Sequence, residues 1–263
     1  MSASAPDRPE SPPAVVLSSV SKTFANGIAA LAPMTLAIGA GSFTSLVGPS
    51  GCGKSTLLRL MAGLSAPTSG RIESRATEGP LSTGFVFQDA TLMPWASAAD
   101  NVALPLRLAG RPAREISAQV ADALERVGLA GFAGAYPREL SGGMKMRVSI
   151  ARAIVTRPRL LLMDEPFAAL DEFTRFRLND DLLALWQKNR WTVVFVTHSI
   201  REAVFLSERV IVMSPRPGRA VADVAIDLPA QRDAALRLGH GFTDQCARVN
   251  AALGAAMEPE ARS

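Results

Sequence analysis

A glycine-rich run, Gly48 to Thr56 (GPSGCGKST), ends in a lysine and two hydroxyls and fits the spacing G-x-x-x-x-G-K-S/T. Glycines at 48, 51 and 53 let the backbone curl so that successive N–H groups point inward at phosphate oxygens. A helix opening near Lys54 would aim its positive end at the same place. Lys54 is then the cation for β- and γ-phosphates, and Ser55 the hydroxyl for Mg²⁺. Pro49, Ser50, Cys52 and Thr56 complete the cradle. A thiol at a helix start is expected to ionise readily, so Cys52 is expected to be alkylated unless nucleotide covers it.

A second run, Leu160 to Pro166 (LLLMDEP), is an apolar strand ending in two acids. Asp164 then sits at the carboxyl edge of a sheet, where ligands of open α/β sheets collect, and can hold Mg²⁺ through its water shell. Glu165 can polarise an attacking water as general base. Such a strand is also an ordinary entry to a solvated turn; the upstream glycine run is what favours chemistry. His198 follows another apolar strand, Thr192 to Thr197, and could approach the terminal phosphate. A satisfied structural histidine is the other reading of it.

These residues need a scaffold. Val15 to about Val47 reads as β-rich, broken by Asn26-Gly27 and by residues 39–41, and Phe43 to Val47 enters the glycine turn as a short strand. Lys54 to Ala62 reads as helix and Arg71 to Phe87 as a second β segment. Asp89 to about Val155 is mostly helical, with Met144, Val148, Ala151 and Val155 at the spacing of a half-buried helix. Strand Leu160 to Met163, helix Asp171 to Asn189, strand Thr192 to Val196, helix Ile200 to Leu206 and strand Val210 to Met213 then alternate. That alternation predicts a parallel sheet covered on both faces. Phe242, Cys246, Val249 and Leu253 repeat helical spacing in the tail.

The chain has 263 residues, 48% hydrophobic and 20% charged, enough for a large α/β domain with ample core. Its formal charge of +4 is mild and no Lys/Arg block marks a polyanion groove, so no nucleic-acid partner is expected. The apolar stretches are too short or interrupted to span a bilayer. Residues 1–13, rich in Pro and Ser, read as a disordered lead-in rather than a signal peptide. Cys52 and Cys246 are too few for a disulfide framework, and the cytosol fits best.

A phosphate loop alone could serve a kinase, a GTPase or a helicase. Leu140 to Met144 (LSGGM), continuing to Arg152, decides among them. Ser141 is a good N-cap, and Gly142-Gly143 exposes backbone N–H groups at a helix start, a second anion site on the same chain. This run, between the glycine loop and the acidic strand, resembles the signature sequence of ATP-binding cassette (ABC) proteins. The resemblance covers roughly residues 15–230. It implies an α/β P-loop NTPase fold, with a RecA-like core of mixed, mostly parallel sheet, an ABC-type β-subdomain and a helical signature subdomain. The boundaries expected are 14–230 for the ATPase domain, with the helical part inserted at about 89–157, and 231–263 for a C-terminal helix and tail.

The resemblance also implies roles. Phe24 matches the aromatic that stacks on adenine, although a core Phe is the bland alternative. Gln88 matches the glutamine that senses Mg²⁺ and the attacking water, Asp171 the D-loop that crosses a dimer interface, and His198 the switch histidine at the γ-phosphate. In the family, ATP with Mg²⁺ is sandwiched between the P-loop of one subunit and the signature of the other, so a homodimer is implied. The implied partners are a transmembrane permease and, indirectly, a periplasmic or surface solute-binding protein. The implied place is peripheral, on the cytoplasmic face of the inner membrane.

Met144 stands where the family usually has Gln, and Met146 where it often has another. Met144, the run Phe87 to Trp95 and Asp171 to Phe176 are similar to importers of nitrate, taurine and aliphatic sulfonates. An exporter or lipoprotein-release ATPase and a non-transport ABC ATPase are the alternatives. Leu92, Met93, Pro94 and Trp95 form an apolar cluster for a permease helix, unless they line the insert's own core.

Overall fold

The structure, a computed structural model, describes residues 13–74 and 81–257. Residues 1–12 of the expected lead-in and 258–263 of the tail lie outside them, and Pro13 already begins a strand. β1 (Pro13–Thr23), β2 (Ala29–Gly39) and β4 (Ser69–Ser74) form an antiparallel sheet in the order β2-β1-β4. The larger sheet takes β5 (Thr83–Val86), β6 (Leu160–Asp164), β7 (Thr192–Val196), β3 (Phe43–Val47), β8 (Arg209–Met213) and β9 (Ala220–Ala225), in that order. It is parallel except for β9, which pairs antiparallel to β8.

The reason for the large sheet is legible in its strands. Every residue of β3, β6 and β7 is buried, because helices or the small sheet cover both faces. On one face lies a core with α1 (Lys54–Met61) and the small sheet. On the other lie α2 (Ala98–Leu108), α3 (Ala113–Arg126), α4 (Gly142–Ile154), α5 (Glu172–Asn189), α6 (Ile200–Leu206) and α7 (His240–Met257). The small sheet alternates buried and exposed residues along β2 instead, since one of its faces meets water.

Three expectations need correction. The β segment expected at 71–87 is two strands of different sheets, β4 and β5. The helical stretch expected from Asp89 begins only at Ala98, after a loop, and β9 was not foreseen. α4 is buried around most of its circumference rather than along one stripe: Met146 is 5% exposed, while Met144 is only partly buried. In the tail the expected face is the one that packs, with Phe242 and Val249 fully buried and Cys246 and Leu253 against the core.

Candidate functional site

The glycine loop joins β3 to α1. Gly51 and Gly53 have φ of 73° and 104°, a region open to glycine at little cost. At Gly53 a Cβ would lie 2.6 Å from Leu31 Cδ2, so only hydrogen fits against β2. α1 opens without a side-chain cap, which leaves its first N–H groups to a ligand. Lys54 is 5% exposed and donates to the carbonyls of Gly48 (2.8 Å) and Pro49 (3.0 Å). A buried ammonium held on two loop carbonyls can exchange them for phosphate oxygens.

Because β7 lies between β3 and β6, the loop and the acidic strand end meet across the end of β7. Ser55 Oγ donates to Asp164 Oδ1 at 2.8 Å. Burial pushes the Asp164 carboxyl above its ordinary value, with Glu165 adding to it, against the Ser55 hydrogen bond and the charges of Arg59 and Lys54. A desolvated carboxylate beside a hydroxyl fits a hard divalent cation, which takes such oxygens and keeps waters and phosphate as its remaining ligands. Among the described residues no cluster of three or more His, Cys, Asp or Glu could hold a metal by protein ligands alone.

Glu165 has φ of 46°, a strained setting for a non-glycine residue, fixed by its N–H donating to Val196 O at 3.0 Å. That kink turns its side chain toward His198, whose Nδ1 lies 3.2 Å from Glu165 Oε2. An ionised carboxylate can only accept, so a hydrogen bond here runs from the imidazole N–H to Glu165.

A cleft of about 620 Å³ lies over these groups. Residues 50–51 and 53–56 of the loop line it, with Glu165, Gln88 and Phe24, which is 43% exposed. Asn26, Ile28, Ala30 and Arg216 line it too and were not foreseen. Only Asn26-Gly27 left a local trace, as a turn. Arg216 arrives from the loop between β8, the neighbour of β3, and β9, and its Nε donates to Gly51 O at 3.1 Å. Its loop closes on the glycine run: a Cβ on Gly218 would sit 1.9 Å from Cys52 O. Cys52 itself is 1% exposed, within the core under the loop. Alkylation from solvent, expected from its place at a helix start, is blocked by packing.

The other expected phosphate contacts lie elsewhere. Ser141, Gly142 and Gly143 are not among the residues lining the cleft. Ser141 is exposed and caps α4, accepting from Met144 N at 3.3 Å. A Cβ on Gly143 would meet Thr174 Cγ2 at 2.6 Å, so this glycine lets α4 start against α5. Asp171 caps α5, accepting from Thr174 N at 3.0 Å, and that bond holds its carboxyl below the usual range. The chain therefore carries a cleft lined by the glycine loop and, outside its lining, a capped glycine helix start beside Asp171.

The apolar cluster of residues 92–95 is divided. Leu92 packs on the core, whereas Trp95 is 76% exposed. Asn101, fully buried, holds the loop between them through Met93 N (2.7 Å), Met93 O, Ala96 O and Ser97 O.

Comparison with known proteins agrees with this geometry. The ABC transporter family model matches residues 31–168. The taurine import ATP-binding protein TauB of Rhizobium johnstonii is 53% identical over 188 residues, 70% of this chain and 72% of that protein. The nitrate import ATP-binding protein NrtD of Synechocystis is 45% identical over 209 residues, 78% of this chain and 79% of that one. Among solved structures, a dimeric ATP-binding cassette in a post-hydrolysis state with ADP and phosphate superposes with a TM-score of 0.71 at 34% identity, covering 82% of this chain and 100% of that one. On the phosphate cleft, the signature run and these likenesses together, the chain belongs to the ABC transporter family, as one of its ATP-hydrolysing cassettes.

Proposed function

We propose that this protein is the ATP-hydrolysing subunit of an importer for a small solute of the nitrate, taurine or sulfonate kind. It works as a homodimer on the cytoplasmic face of the cell membrane, beside a separate permease fed by a solute-binding protein. The observation that carries the reading is the separation of two phosphate-type sites on one chain. The cleft at Lys54 has its cation and Glu165, with Asp164 bonded to Ser55 and His198 beside Glu165, whereas Ser141 caps a helix whose start does not line it. One nucleotide joins them only if the second site comes from another copy. Residues 89–157 then act as the helical subdomain that carries the signature to its partner.

In this reading Lys54 releases the Gly48 and Pro49 carbonyls and takes phosphate oxygens. Ser55 and Asp164, with Gln88 nearby, would hold Mg²⁺, which supplies charge neutralisation at the transferring phosphate. Glu165 accepts a proton from the attacking water, and His198 orients Glu165 while facing the terminal phosphate. Phe24 supplies a face for adenine at the rim. Loss of the shared phosphate after hydrolysis loosens the pair of subunits. Among the described residues no helix is long and apolar enough to cross a membrane, so motion has to pass to another chain; exposed Trp95 is our candidate contact.

The test is Glu165→Gln with MgATP. The variant should bind nucleotide, turn over slowly and elute as a dimer, and scattering from the permease complex should show both cassettes closed. A variant that stays monomeric with ATP bound, alone and with permease, removes the shared-site reading.

A further inference from the structure

Between α5, α6 and the lead-in to α7 lies a cavity of about 320 Å³ that the proposed reaction does not use. Its walls hold charges that proteins seldom bury. Glu202 is 7% exposed, and Arg175 and the neutral Asn179 (2%) line the same cavity. Burying a carboxylate is costly unless its partners compensate, so a buried ionic group at this place needs a reason.

The contacts point in two directions. Toward the sheet, Glu202 Oε2 accepts from Thr197 Oγ1 at 2.5 Å. The same hydroxyl oxygen accepts from Ser199 N at 3.0 Å, and Ser199 Oγ in turn accepts from Glu202 N at 3.3 Å. This ring brackets His198 on both sides and sets where its backbone leaves β7. Toward α5, Glu202 Oε1 and Arg175 Nε, each buried without a hydrogen-bond partner, form an ion pair at 3.7 Å. Arg175 Nη2 donates to Leu170 O at 2.9 Å, one residue before Asp171. Thus one guanidinium and one carboxylate span from the turn that carries Asp171 to the turn that carries His198.

We propose that Arg175 and Glu202 are positioning residues that tie the Asp171 turn to the His198 turn, so that displacement of one turn re-aims the imidazole at Glu165. Neither touches nucleotide or Glu165, and both act through the backbone they hold. Burial pushes the Glu202 carboxyl above its ordinary value, while Thr197 and Arg175 oppose that rise. So do His198 and Asn179; Thr197 and Arg175 are the two ends of the tie. An apolar pair would pack here at less cost but would not specify a register between the turns.

The proposal rests on the placement of Glu165 and His198 at the reacting phosphate, and the test separates the two. The sequence has two histidines, His198 and His240, so histidine-labelled full-length protein gives two imidazole signals, and His240→Gln assigns them. In Arg175→Ala with MgADP the His198 signal should shift, although the substituted residue is on another element. ATP turnover should fall about tenfold while the KM for ATP changes by less than about twofold. Glu202→Gln should do the same, and the double variant should be no worse than the more impaired single, since both break one tie. Arg175→Lys, which keeps the charge, should recover part of the turnover.

An unmoved His198 signal with normal turnover in Arg175→Ala overturns the proposal, as does a double variant whose losses multiply. Should Arg175→Ala fail to fold, Thr197→Val cuts the tie at its other end and must shift the same signal; no shift there overturns it equally. Normal turnover in Glu165→Gln and His198→Ala would instead sink the underlying assignment. Loss in those two with none in Arg175→Ala sinks the tie alone.

Discussion

Two helices of this protein begin at glycine-rich turns, and they are built for different situations. α1 starts under a loop in which Gly51 and Gly53 have left-handed torsions, with no side-chain cap and a buried lysine reaching back over it. α4 starts at Ser141, which spends its hydroxyl on capping Met144 N and sits in the open. The first site carries its own cation and metal-type oxygens. The second offers N–H groups and a dipole only. A site equipped with a cation can capture polyphosphate alone, whereas a bare helix start adds little until something else brings the anion to it. Under the proposed function, nucleotide binding and nucleotide-driven association then belong to two different helix starts of one chain.

The largest effect should come at the first helix. Lys54→Ala removes the charge from the cleft, and ATP turnover should drop roughly a thousandfold in a coupled phosphate-release assay. Normal turnover would erase the contrast. Next comes Ser141→Asp. Asp caps as well as Ser, so thermal stability should hold, but a carboxylate now meets the terminal phosphate of the partner's nucleotide. On the shared-site proposal, turnover should fall on the order of a hundredfold, with ATP affinity of the single subunit unchanged by equilibrium dialysis. Equal loss of affinity would mean that both helix starts serve one subunit's nucleotide.

Phe24→Ala should weaken binding of ATP by about tenfold through lost stacking, measured by fluorescent-nucleotide titration, and leave binding of inorganic triphosphate unaltered. The smallest effect concerns pH. Since burial raises the folded-state pKa of Glu202, its share of stability is full below the ordinary carboxylate value and is lost as pH rises through the raised one. The Tm of the protein relative to Glu202→Gln should therefore decline between acid and neutral pH. A difference that grows with pH contradicts the burial argument.

Trp95 and Cys52 mark the limit of local reading. Both are single hydrophobic residues beside a motif, yet one is 76% exposed and the other 1%. The exposed tryptophan depends on Asn101, which pins its loop from a helix later in the chain. The buried thiol depends on the loop at Gly218, folded over it from the opposite end of the sequence. Likewise β9, whose run AVADVA mixes small and polar residues, carries a weak strand signal, and pairing with β8 is what makes it a strand.

By itself the sequence determined the phosphate loop, the acidic strand end, the signature helix start and the buried strands, because each is written in contiguous residues with local backbone requirements. Glycine torsions, N-caps and unbroken apolar runs act over a few residues and need no knowledge of the rest. Only the tertiary structure decided that Asn26, Ile28, Ala30 and Arg216 share the cleft, that Glu165 faces His198, and that Arg175 reaches Glu202. Those pairings depend on strand order, which sets β7 between the glycine loop and the acids and brings together residues far apart in the chain. Their energies are contact energies between distant segments, and no spacing in the sequence encodes them.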